Sequence, residues 1–119
     1  MTEKKTRVLS QIRMPEWLFE AWESFAVQTK QDQKAVIEHF IGVFIKEKTE
    51  FLRRAEIAEV PTYLVLYDHP PGSQVRSVWL SCEVDAKVRT FAQHSGHRAN
   101  RIIFSALLAG LVSHEKIVI

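Results

Sequence analysis

The sequence predicts an α+β chain, mostly helical. Two strand-helix-helix units follow each other in one polypeptide and share a single two-stranded antiparallel ribbon. Three observations point there. Residues 7–14 alternate in polarity and stop at Pro15. Two helical patterns follow directly. The same order, strand then helix then helix, returns from Ser77 to Val112. A strand of eight residues with two helices cannot enclose a core, so each unit needs the other. The chain therefore reads as one domain, 1–119, made of a first unit at 7–58, a linker with an extra strand at 59–75, and a second unit at 76–114.

In the first unit Val8, Ile12 and Met14 fall on one side of the strand, and Arg7, Leu9, Gln11 and Arg13 on the other. That is a period of two, with one face for a core. Pro15 cannot donate to a ladder and suits the first turn of a helix. Leu18, Trp22, Phe25 and Ala26 then share one helical face. After the polar break Gln28 to Gln33, Asp32 is placed to cap a second helix. That helix carries Val36, Ile37, Phe40, Ile41, Phe44 and Ile45, and continues through Phe51, Leu52 and Ala55.

Val60-Pro61 ends this helix. Thr62 to Tyr67 has strand composition, and Asp68 to Ser73 is turn chemistry, so the simplest local reading is a hairpin with the extended run Gln74 to Val84. In the second unit Val78, Leu80, Cys82 and Val84 alternate against Ser77, Trp79, Ser81 and Glu83. Asp85 takes the place of Pro15. Val88, Phe91 and Ala92 make the next helical face, and Gly96 suits the left-handed residue after a helix. Arg98 to Val112 is the last helix. Asp32 lies seventeen residues after Pro15, and Arg98 thirteen after Asp85. The difference of four is about one helical turn, so the third helix is expected to be one turn shorter than the first.

The chain is 46% hydrophobic and 25% charged, ordinary globular material. Its net charge of +2 permits nucleic-acid binding without arguing for it. Ten basic and ten acidic side chains fall in residues 1–59, six and four in the rest, so neither half is a basic arm. A lone Cys82 provides no internal disulfide framework and points to a reducing compartment. The N-terminal residues do not read as a signal peptide, and no apolar stretch is long enough to span a bilayer. A cytoplasmic protein is expected.

The alternating strand ending in Arg13-Met14-Pro15, the positions Leu18, Trp22, Phe25 and Ala26, and the turn entering Val36-Ile37 resemble the ribbon-helix-helix family of DNA-binding proteins, the Arc and MetJ type of repressor. The duplicated plan is similar to the tandem, single-chain members found among conjugation and T-DNA transfer accessory factors, often plasmid-borne, in which one chain forms the whole pseudo-dimer. The resemblance implies an antiparallel ribbon lying in the major groove. It implies base reading by Arg7, Leu9, Gln11 and Arg13 on one strand and Ser77, Trp79 and Ser81 on the other. Phosphates would be held at the two helix starts, by Gln33 and Lys34 in one and His97, Arg98 and Asn100 in the other, with Lys4 and Lys5 reaching the backbone from the N-terminal tail. The family usually has glycine and serine in the turn where this chain has Lys30 and Asp32. A symmetric dimer reads a palindrome, whereas a fused pair is free to read an asymmetric site.

Bland readings stand beside these. Trp79 is core if Leu64 and Leu66 lie across its face. Arg13 either forks onto a guanine or balances the acidic helix beginning at Glu16, and Glu83 on the ribbon would cost affinity near phosphates. Glu16, Glu20 and Glu23 form an exposed acidic face. His94 and His97 are two nitrogen ligands without the rest of a metal site. No catalytic constellation is visible, so neither an enzyme nor a bound cofactor or metal is expected. The partner implied is double-stranded DNA, for a repressor of transcription or an accessory to a relaxase, with self-association of pseudo-dimers through Phe19, Phe44 and Ile117 to Ile119 left open. The competing expectation is a protein-interaction module, such as an antitoxin or adaptor, that keeps the scaffold without reading DNA.

Overall fold

The computed structural model describes residues 7–54 and 70–114, with the side chains of 7–49 and 70–114. These form an α+β, mostly helical arrangement: β1 (Arg7–Met14), α1 (Glu16–Gln28), α2 (Gln33–Arg54), β2 (Gln74–Ser81), α3 (Cys82–Ser95) and α4 (Ala99–Ser113). β1 and β2 pair antiparallel within the chain. Their register sets Arg7 opposite Ser81, Leu9 opposite Trp79, Gln11 opposite Ser77 and Arg13 opposite Val75.

The pleat sorts the ribbon into two faces. Ile12, Met14, Val78 and Leu80 point inward and are buried. The four helices close beneath them. Leu18, Trp22, Phe25 and Ala26 of α1 meet Val36, Ile37, Phe40, Ile41 and Phe44 of α2, and Val88 and Phe91 of α3 join Ile102, Ile103, Ala106, Leu107 and Leu111 of α4 in the same cluster. Each large aliphatic or aromatic side chain so enclosed contributes about 1.5–3 kcal/mol of transfer free energy. A buried indole needs a partner. Trp22 finds one in the carbonyl of Gln33, 2.9 Å from Nε1, which also fixes α1 against the start of α2. Among the described residues the helical faces expected from sequence are thus the observed ones.

The second unit differs from expectation at its start. The strand ends at Ser81, not Val84, and Cys82, Glu83 and Val84 already belong to α3. The cap is Ser81, whose hydroxyl accepts the Val84 N–H at 3.4 Å. Asp85 lies in the first turn instead, buried and paired with Arg89 at 2.8 Å. The physical reason is that a serine hydroxyl and two first-turn carboxylates, Glu83 and Asp85, favour a helix start, while alternation alone cannot tell a strand's end from a first turn. The position matching Pro15 is therefore Ser81. Arg98 follows Ser81 by seventeen residues, as Asp32 follows Pro15. The expected missing turn is absent: α1 has 13 residues and α3 has 14.

The turns between the helices match too. Lys30 and Gly96 both adopt positive φ, 56° and 73°. Only glycine does so without steric cost, so Lys30 holds its place under strain that Gly96 avoids. β2 pairs with β1, not with a hairpin partner, among the described residues. The expected strand at 62–67 with Leu64 and Leu66, and the apolar Ile117 to Ile119, lie outside the described residues, as do Lys4, Lys5 and the side chains of Phe51 and Leu52. Phe44 is buried and so offers no open apolar surface, while Phe19 is half-buried with the Arg76 guanidinium over its ring at 4.1 Å.

Candidate nucleic-acid interface

The outer face of the ribbon carries Arg7, Leu9, Gln11 and Arg13 from β1, and Val75, Ser77 and Trp79 from β2, all exposed. None of these is acidic. Glu83, expected among them, is on α3 instead. Trp79 is 41% exposed and Leu9 45%, so Trp79 is not a core residue among the described ones. The Arg7 guanidinium lies over the Trp79 ring at 4.4 Å, a cation–π contact.

Arg13 has no carboxylate partner among the described residues. Glu16, which was to balance it, is bound by Arg76 from the inner side of β2. Gln11 and Arg13 instead line an open cleft of about 750 Å³ between the ribbon and the start of α4. Its other wall holds His97, Arg98, Asn100 and Arg101. Asn100 bridges the walls, donating Nδ2 to the Gln11 carbonyl at 3.1 Å. The His97 Nε2 is enclosed without a hydrogen-bond partner. This end of the ribbon therefore gathers three guanidinium groups and a helix start, and an anion placed there meets cations and the positive end of the helix dipole.

The start of α2 has different chemistry. The Gln33 carbonyl serves Trp22. The Lys34 ammonium pairs with Glu38 at 3.2 Å, one turn later on the same helix. Glu38 also accepts the Ser81 backbone N–H at 2.6 Å. Burial alone would raise the Glu38 pKa. Its hydrogen bonds from Ser81 and the adjacent Lys34 charge outweigh burial and hold the carboxyl below its ordinary range. The Ser81 hydroxyl is occupied with its cap, so of the base-reading residues expected on β2, only Ser77 and Trp79 stand on the open face.

Two participants escaped the sequence reading. Arg101 joins Arg98 in the cleft, and its signal was the three-residue spacing of two arginines at a helix start. Glu38 has no local signal, because its partner Ser81 is 43 residues away.

No family model matches the chain, and neither a curated protein nor a solved structure matches it. No helix among the described residues is long and apolar enough to cross a membrane.

Proposed function

We propose that this chain binds double-stranded DNA in a sequence-dependent way, as a tandem ribbon-helix-helix pseudo-dimer whose intramolecular ribbon enters the major groove. The observation that carries the reading is the outer ribbon face. It is a two-stranded surface of the width that groove admits, bearing Arg7, Gln11 and Arg13 and no carboxylate. Arginine forks onto guanine and glutamine onto adenine. The shared spacing of the two units and the pairing of β1 with β2 support the pseudo-dimer. The arginines at the start of α4 support a phosphate contact beside the reading residues. The uses that fit are repression of transcription and assistance to a relaxase at a transfer origin. Both need a protein that recognises one short duplex and stays there.

A second reading has its own observation. Leu9, Val75 and Trp79 leave three large apolar side chains exposed on the ribbon face, a surface that also suits a protein partner, as in an antitoxin or adaptor. An electrophoretic shift over a salt series separates the two. Selection from a random duplex pool should yield a preferred sequence, with affinity falling steeply as salt rises. Failure to enrich any duplex, with salt-insensitive weak binding, would favour the interaction module.

A further inference from the structure

We infer that the grip on DNA is one-sided. The ribbon end beside α4 holds the duplex backbone, the end beside α2 does not, and the preferred site is non-palindromic with phosphate contacts crowded on one flank. The inference rests on the duplex-binding proposal above and deepens it.

Gln11 and Ser77 face each other across the ribbon and occupy the same place relative to Pro15 and Ser81, four residues before each. The middle of the ribbon is therefore the point about which the two flanks compare. On one flank the cleft presents Arg13 and Arg98, and no carboxylate is among the described residues that line it. An enclosed polar nitrogen without a partner occurs at both helix starts, His97 Nε2 here and Gln33 Nε2 on α2, so the flanks differ in charge and not in open donors.

On the other flank Asp32 stands where Arg98 stands, and Lys34 where Asn100 stands. The Lys34 charge is already neutralised by Glu38, and Glu38 is fastened to the end of β2 through Ser81. A phosphate arriving there meets an exposed Asp32, a closed ion pair and an Arg7 guanidinium already seated on the Trp79 ring. A carboxylate at the matching position repels the backbone that a guanidinium attracts on the opposite flank. Each lysine or arginine that neutralises a phosphate releases counterions, and each that does not leaves the salt dependence unchanged.

Phosphate-ethylation interference on a duplex selected by the full chain tests this. Interference is expected on one flank only. Arg98→Gln should weaken binding to every sequence about 5–10-fold and lower the salt slope by about one. Asp32→Arg should strengthen binding several-fold and bring the second flank into the interference pattern. Equal interference on both flanks of the wild-type complex, or full affinity in Arg98→Gln, overturns the one-sided grip while leaving duplex binding in place. Failure to select any duplex overturns both.

Discussion

The Asn100 side chain donates to the main-chain carbonyl of Gln11 across 3.1 Å, tying the start of α4 to the middle of the ribbon. The link joins a helix start to the strand position that faces Ser77. Asn100→Ala removes one exposed hydrogen bond, so stability should fall by no more than about 1 kcal/mol. Positioning should suffer more. The ratio of affinities for selected and random duplex is expected to shrink several-fold, read from parallel titrations, while the melting temperature shifts little.

Arg13→Ala separates reading from folding. Arg76, not Arg13, binds Glu16, so the fold has no claim on the Arg13 guanidinium. The substitution should cost about 1–3 kcal/mol of specific binding and relax preference at one base pair, with unchanged thermal stability. Competition against single-position variants of the selected duplex checks it.

The sequence carried the helical faces and β1 plainly, because a buried stripe at 3.6 or 2 residues is a local property. Among the described residues the apolar positions of those stripes from Ile12 and Leu18 to Leu111 pack into or against the core, and Val8 is half-buried. It misled at 82–85, where Cys82 and Val84 prolong the alternation of β2 although the chain has already turned into α3. The capping serine outweighs two apolar side chains there, since its hydroxyl accepts a first-turn N–H that the helix start would otherwise leave bare. Of the site, the ribbon face was legible because it too has period two. The Glu38–Ser81 and Asn100–Gln11 contacts were not, since they join residues 43 and 89 apart and no periodicity encodes such a meeting.

Gly110 and Gly42 should respond in opposite directions to alanine. A Cβ on Gly110 would come within 2.6 Å of three Phe40 ring atoms, and that ring is buried and tilted against Phe25 at 5.4 Å between centroids. Overpacking there should outweigh the gain in helix propensity, with a net loss of about 1–2 kcal/mol. Gly42 meets nothing within 4 Å, so Gly42→Ala should stabilise by about 0.5–1 kcal/mol. Urea midpoints of the two variants give the comparison.

Acid should loosen the join between α2 and the ribbon. Glu38 is held below its ordinary range in the folded chain. A depressed carboxyl contributes stability that is full above the unfolded value, about 4.3, and that is lost as pH falls through the lower folded value. Melting temperature followed downward from pH 5 should therefore drop more in the wild type than in Glu38→Gln, which has no proton to take up.

The central claim is that the outer ribbon face lies against bases. An amide and side-chain NMR titration with the selected duplex tests it most directly. The account predicts the largest shifts at the Gln11 side-chain amide, the Arg13 Nε, Ser77 and the Trp79 indole, together with amides of residues 97–101, and little change along the acidic face of Glu16, Glu20 and Glu23. Shifts confined to helix surfaces away from the ribbon, or none at saturating duplex, would contradict it.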